Sequence, residues 1–330
     1  MVSDVTRSSE SLLEVVDLRT YINTRQGVLK AVDGASFTVR RGETVGLVGE
    51  SGSGKTMTCL SVMRLLPVAS AEIVAGEVWF DGKNLLEASE AEMRRVRGRD
   101  IALVMQDALA ALSPVLSIGE QVGEPLRHHF SYSDADVRSR VIEVLDAVKI
   151  PRPSERLDEY PHQFSGGMRQ RIVAAMGLGT SPSLMLADEP TTALDVTIQA
   201  QFIMLIREVQ ENTGMSVLWV THDLGVVAQT CDRVNVMYAG RVVESGEVRR
   251  ILKKPLHPYT IALMESVPSI GTKREKLYQI PGQAPDLRNL GAGCPFYARC
   301  PARMDICEHE FPSATDDGAG GFVHCWAVSE

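Results

Sequence analysis

Eight consecutive residues, Gly49, Glu50, Ser51, Gly52, Ser53, Gly54, Lys55 and Thr56, combine glycines, a cation and a hydroxyl in the spacing G-x-x-x-x-G-K-[ST]. Glycines let the backbone curl until successive N–H groups converge on phosphate oxygens. Lys55 then opposes β/γ charge, and the Thr56 hydroxyl reaches a Mg2+ ion. The implied ligand is a nucleoside triphosphate. Such a loop works at a strand-to-helix junction, and the flanks supply one: the apolar run Thr44–Val48 predicts a short buried strand, and Lys55 to Leu66 predicts a helix.

Further along, Leu184–Ala187 is an apolar strand that ends in Asp188 and Glu189. Asp188 suits the Mg2+ shell and Glu189 suits a base that polarises an attacking water. Adjacent acids at a strand end are usually solvated, but a phosphate loop upstream in the same chain favours the catalytic reading. Between the two lies Phe164-Ser165-Gly166-Gly167-Met168, a turn that opens a helix through Met176. The Ser165 hydroxyl and glycine N–H groups at the positive end of that helix suit a γ-phosphate; a plain helix cap is the simpler reading.

Taken together these motifs resemble the ATP-binding cassette (ABC) ATPases, whose signature is a Leu-Ser-Gly-Gly-Gln turn between Walker A and Walker B. Gln106 follows Ile101–Met105 as a Q-loop would, Ala193-Leu194-Asp195 resembles a D-loop, and Thr221-His222-Asp223 after Met215–Val220 resembles the H-loop. Phe164 and Met168 depart from the signature, removing the Gln amide but no backbone donor. The resemblance implies an α/β P-loop NTPase cassette: a RecA-like core, an antiparallel β-subdomain and a helical signature subdomain spanning about 107–180. Two cassettes close head to tail, so Ser165 and Gly167 would serve the nucleotide of the partner. It further implies Thr56, Asp188 and Gln106 around Mg2+, His222 on the γ-phosphate, and Glu189, His222 and Gln106 as the catalytic set. Tyr21, ahead of the first hairpin, is the candidate for stacking on adenine.

Composition bounds the rest. At 330 residues and 44% hydrophobic content the chain can bury one large core plus an appendage. A net charge of −8 argues against nucleic acid, which needs a basic stripe; the run Arg94–Arg99 reads as a solvated helix end. The first ten residues lack a secretory signal's apolar core, and no apolar run is long enough to cross a bilayer. The expectation is a cytosolic protein whose pore, if it powers transport, comes from other chains. Alternation in Leu13–Leu18 and Phe37–Val39, with the Gly76–Phe80 strand and the Asp81-Gly82 turn, predicts the antiparallel part. Val137, Val141, Val144, Leu145 and Val148 recur at helical spacing within Ile118–Ile150, and Arg233–Glu244 reads as a hairpin around Ala239-Gly240.

Near residue 250 the cassette closes and prolines multiply, predicting an added segment over 251–330. It carries Cys294, Cys300, Cys307 and Cys325, four of the six cysteines. In a cytosolic protein such clustering favours metal over disulfides, and four thiolates suit Zn2+ or a [4Fe-4S] cluster; spacing does not choose. Cys59 and Cys231 read as simple buried residues. Leu256-His257-Pro258-Tyr259-Thr260, Ile280-Pro281-Gly282 and Cys294-Pro295-Phe296-Tyr297-Ala298-Arg299-Cys300-Pro301 resemble the C-terminal extension of oligopeptide/dipeptide importer ATPases. That resemblance favours the iron-sulfur cluster over zinc. It implies ATP-driven import of di- or oligopeptides from the cytoplasmic face of the membrane. The implied partners are two permease subunits, a second cassette of the same or a paralogous type and, through the permeases, an extracellular substrate-binding protein. Nickel, glutathione or another small solute is the alternative cargo. A soluble cassette ATPase and an ATP-coupled redox module are the alternative classes.

Overall fold

In a computed structural model of the protein, residues 10–67, 69–106, 108–192, 194–266 and 278–328 are described. The first nine residues, Ala193 of the D-loop and Pro268 lie outside the described residues. The chain forms two compact units: one comprises 1–39, 44–86 and 219–330, the other 40–43 and 87–218.

The first unit begins with the hairpin β1 (Ser11–Thr24) and β2 (Gly27–Arg40), continues through β3 (Thr44–Val48) and α1 (Lys55–Val62), and adds β4 (Ala71–Phe80) and β5 (Lys83–Asn84). These build an antiparallel sheet in the order β2-β1-β4-β5, with Leu13 opposite Phe80 and Val15 opposite Val78. The turn between β4 and β5 uses Asp81 (φ 48°) and Gly82 (φ 75°), the left-handed pair that a two-residue hairpin demands. Helix α1 is shorter than the sequence predicts. Arg64 takes a left-handed φ of 51°, its N–H bonds Ser61 O and the Leu65 N–H bonds Leu60 O, a Schellman closure that stops the helix ahead of Pro67.

The second unit runs through α2 (Glu90–Val96), β6 (Ile101–Val104), α3 (Ala108–Ala111), α4 (Ile118–His129), α5 (Asp134–Ala147), α6 (Gly166–Leu178), β7 (Leu184–Asp188) and α7 (Val196–Thr213). Arg94 and Arg95 sit in the last turn of α2, where cations oppose the helix dipole. The helical periodicity after Ile118 resolves into two helices, each opened by a capping box: Ser117 with Glu120, and Ser133 with Asp136. Val137, Val141, Val144 and Leu145 form the buried face of α5. β6 and β7 pair in parallel, with Val104 opposite Ala187. β8 (Ser216–Thr221) carries the chain back to the first unit.

There follow α8 (Leu224–Thr230), β9 (Arg233–Tyr238), β10 (Arg241–Glu247), α9 (Val248–Lys253), α10 (Pro258–Glu265), α11 (Ile306–His309), β11 (Thr315–Asp316) and β12 (Phe322–Val323). Their sheet runs β11-β12-β10-β9-β3, with β3 parallel to β9 and every β3 residue buried. The tail thus extends the sheet: Val323 pairs with Glu244, and Phe322 with Ser245. Its entry is fixed by Glu244, fully buried, whose carboxylate accepts the N–H groups of Leu256 and His257, both at 3.0 Å, and pairs with Arg250 at 2.5 Å. His257 in turn accepts the Tyr259 N–H at Nδ1 and caps α10; burial pushes its pKa down to about 3, so the ring stays neutral. Removing the Glu244 carboxylate leaves the buried Leu256 and His257 N–H groups without their acceptor and takes from Arg250 one of its partners, the others being Asp317 and Ser245 O. Glu244→Ala should lower stability by about 3–5 kcal/mol, read as a shift in the urea midpoint at constant slope.

Candidate functional site: phosphate loop, signature turn and thiol cavity

The phosphate loop, at the end of β3, is shaped by its glycines. A Cβ on Gly49 would lie 2.1 Å from Met237 O, and one on Gly54 2.3 Å from Ala31 O, with Gly54 at φ 107°. Neither position admits a side chain without moving the loop. Gly52 also needs its left-handed φ of 79°, whereas its missing Cβ faces open space. The Gly240 N–H donates to Ser53 O at 2.8 Å and ties the loop to the β9–β10 turn. Ser53 Oγ is buried and has no hydrogen-bond partner among the described residues, an orphan aimed at an acceptor that a phosphate would supply. Ser51 is exposed at the loop tip. Lys55 is buried, with its ammonium folded back onto Gly49 O (2.9 Å) and Glu50 O (3.1 Å). Thr56 follows in the first turn of α1, and its exposed side chain is open to a ligand.

Tyr21 lies on β1, half-buried, and its hydroxyl donates to Asp33 at 2.7 Å. Asp33 also takes Arg241 at 2.8 Å, and these partners hold its carboxyl below the usual range against the cost of burial. The tyrosine is therefore anchored at its polar end. His222 is exposed just beyond β8 in the same unit, and the next residue, Asp223, caps α8 through the N–H groups of Gly225 and Val226.

The second unit holds the other motif residues. Asp188 is 4% exposed at the end of β7. Glu189 has φ 47°, an uncommon conformation for a residue other than glycine, and accepts the Thr192 hydroxyl at 3.0 Å. That strain has no signature in the sequence. Gln106 is exposed after β6. Ser165 caps α6, its Oγ accepting the Met168 N–H at 3.4 Å, and remains exposed together with Gly166. Gly167 has a packing reason of its own: a Cβ there would lie 2.7 Å from Cγ2 of Ile198 on α7. Asp195 of the D-loop caps α7 through the N–H groups of Thr197 and Ile198. The structure thus places the phosphate loop, Tyr21 and His222 in one unit, and Gln106, Ser165, Gly167, Asp188 and Glu189 in the other.

Cys294, Cys300, Cys307 and Cys325 line one small cavity, walled by Phe296, Pro258, Pro312 and Trp326. Burial pushes the Cys294 thiol up to about 12, and the other three cysteines push it the same way. Burial also raises Cys300 and Cys325. Opposing this, the backbone N–H groups of Phe296, Ala302 and Ala327, two residues on, pull the Cys294, Cys300 and Cys325 thiols down in turn. Gly293 allows the close crossing of chain that joins Cys294 N–H to Cys307 O at 2.7 Å. The metal chemistry expected here is only partly matched. The donor count and N–H pattern suit a thiolate-held group, but among the described residues no three His, Cys, Asp or Glu side chains form a group that could hold a metal ion. Thiols drawn around a cavity do not by themselves make a metal centre.

Comparison with known proteins decides the family. The model for the ABC transporter family matches residues 32–192, and that for the oligopeptide/dipeptide transporter C-terminal region matches residues 243–307. A probable peptide ABC transporter ATP-binding protein of Sinorhizobium fredii is 48% identical over 323 residues, 98% of this chain and 96% of the relative. The chain belongs to the ABC transporter ATP-binding protein family. The dipeptide transport ATP-binding protein DppD of Bacillus subtilis is 49% identical, covering 96% of this chain and 95% of its own. OppD of Salmonella typhimurium, an oligopeptide transport ATP-binding protein, is 45% identical over 91% of this chain and 89% of its own. Among solved structures, the ATP-binding cassette MJ0796, a dimer bound to ADP and Pi, superposes with a TM-score of 0.64 at 26% identity, covering 72% of this chain and 99% of that one. The cassette fold expected from the motifs is thereby established.

Sequence reasoning singled out the motif residues but gave no role to Tyr238, Tyr259 or Arg299; the structure brings Tyr259 and Arg299 to Glu50 of the phosphate loop, and Tyr238 to Arg299. The available signal was an arginine one residue before Cys300, inside a cysteine-bounded turn. The loop geometry itself is testable. Gly54→Ala combines steric overlap with an unfavourable φ, and ATP binding by the folded chain should weaken more than about tenfold, measured by equilibrium titration.

Proposed function

We propose that this chain is the ATP-hydrolysing subunit of an importer for di- or oligopeptides, coupling nucleotide binding and hydrolysis to uptake through separate permease subunits. The observation that carries the reading is near-full-length similarity, at 45–49% identity, to ATP-binding proteins of peptide transporters, together with the match to their C-terminal region. No helix among the described residues is long and apolar enough to cross a membrane, which fits a subunit seated on permeases at the cytoplasmic face.

In the proposed cycle two such chains, identical or paralogous, pair so that the phosphate loop of each meets Ser165 and Gly167 of the other. Backbone donors of Gly49–Thr56 cradle the phosphates, the Ser53 hydroxyl gains its missing partner, and Lys55 swings from its loop carbonyls to the β/γ oxygens. Tyr21 offers its ring to adenine. Thr56, Asp188 and Gln106 would hold Mg2+, which when bound neutralises phosphate charge. Glu189 takes a proton from water as its oxygen attacks the γ-phosphorus and the bond to ADP breaks, while His222 holds the γ-phosphate. Positioning and charge stabilisation carry most of the catalysis. Closure would move the permeases, and a substrate-binding protein outside the cell would deliver the cargo to them.

We extend the proposal to the tail, read as the importer-type extension beyond residue 250, in which the four thiols hold a [4Fe-4S] cluster. The support is a donor set of four around one cavity.

Two experiments test these roles. Glu189→Gln should bind ATP and remain paired while turnover falls by about 10²- to 10⁴-fold; wild-type rates would remove Glu189 from the role of base. Anaerobic isolation from the host should bring down permease subunits, with about four iron and four sulfide per chain. Cys300→Ser should abolish the iron and leave nucleotide binding intact, and unchanged iron in that variant would defeat the cluster assignment.

A further inference from the structure

The densest set of polar contacts on the phosphate loop from outside its motif comes from the tail. Arg299 is 6% exposed, and its guanidinium grips Glu50 with two bonds, Nη1 to Oε2 at 2.8 Å and Nη2 to Oε1 at 3.1 Å. The same Nη1 donates to the Tyr238 hydroxyl at 3.2 Å, and Nε donates to Pro281 O at 2.9 Å. Tyr259 adds its hydroxyl, which accepts the Glu50 N–H at 2.8 Å. The Glu50 carbonyl meanwhile accepts from Ser53 N–H and from Lys55. The second residue of the loop is therefore held at its side chain, its N–H and its C=O. Glu50 raises the pKa of Arg299 above its ordinary value, as a tightly paired guanidinium requires.

Behind these groups three rings pack on one another: Tyr238 and Tyr259 with centroids 4.5 Å apart, Tyr238 and Phe296 5.3 Å apart, and Tyr259 and Phe296 5.4 Å apart. Phe296 also walls the thiol cavity beside Cys294 and Cys300. A rigid path thus runs from the cavity through Phe296 and Arg299 to Glu50. We propose that Arg299 and Tyr259 are positioning residues for the nucleotide: the tail fixes Glu50, Glu50 fixes the phosphate loop, and ATP affinity is coupled to the packing of the thiol cavity. This rests on the reading of the loop as an ATP site. Preorganised loop N–H groups bind phosphate without an ordering cost, so release of Glu50 weakens binding before it affects chemistry. Coupling is reciprocal, so ATP must also tighten the tail around the thiol cavity.

The test uses the full-length chain, with Mg·ATP titration, steady-state ATPase rates and amide hydrogen exchange over residues 294–307 of the tail. Arg299→Gln and Tyr259→Phe should each raise Kd and KM for ATP about five- to tenfold, with a smaller change in kcat. Arg299→Lys should recover part of the loss, since a point cation cannot reproduce the two-bond grip. Arg299→Gln combined with Glu50→Gln should be no worse than the weaker single variant. ATP should slow hydrogen exchange of those tail amides in the wild type and lose that effect in Arg299→Gln. Tyr259→Phe keeps the ring and its burial, so it decides the matter even where Arg299→Gln fails to fold. Unchanged KM in Tyr259→Phe and Arg299→Lys, a fall confined to kcat, or additive losses in the double variant would overturn the proposal while leaving the ATP site standing. A wild-type chain that binds no ATP would overturn both.

Discussion

The first unit is organised around how the backbone at Glu50 is held. A loop that offers N–H groups to phosphate must hold its backbone in one fixed curl, which is a costly arrangement for a glycine-rich segment. Here the cost is offset from outside the loop. β3 ends it in a fully buried parallel strand, Gly240 ties down Ser53, and Tyr259 and Arg299 hold Glu50. The glycines permit the curl, but they do not hold it; contacts from β9–β10, α10 and the tail do.

The second unit solves a related problem by economy of residues. Ser165 and Asp195 stand at signature and D-loop positions and each caps the helix that follows, as Asp223 does in the first unit. A cap satisfies orphan N–H groups and leaves the positive helix end near the surface, so the residues that shape the turn also set the local potential. Glu189 is the contrast. Its left-handed backbone is not required by any cap, and it places a strained residue directly after a buried strand.

The fold was legible wherever the pattern was local. The strand Thr44–Val48, the helical character after Ile118, the Asp81-Gly82 turn and the hairpin at Ala239-Gly240 all follow from periodicity or turn chemistry, and the structure places each of them there, dividing the helical stretch in two. The early end of α1 did not follow, because Leu65 and Leu66 continue the apolar periodicity while a backbone closure at Arg64 ends the helix. Of the site, the motif residues were legible by type and spacing. The Glu50–Arg299 pair was not: its members are 249 residues apart, and nothing in either neighbourhood specifies the other. The same limit applies to the cysteines, whose convergence on one cavity depends on the crossing at Gly293.

A tail fastened at one point could be treated as an accessory, but this one is fastened at several. Its entry satisfies the buried Glu244, Leu287 O accepts the Lys30 N–H of β2, β12 pairs with β10, and Arg299 grips the phosphate loop. Each contact closes a polar group belonging to the cassette, so removal of the tail would leave a buried carboxylate, an open sheet edge and a loosened loop together. Energies of this kind do not separate neatly, because the groups share partners: Arg250 bridges Glu244 and Asp317, and Tyr238 meets both Arg299 and Phe296. The segment past residue 250 is therefore fastened into the surroundings of the phosphate loop, and its thiol cavity is joined to Glu50 through Phe296 and Arg299.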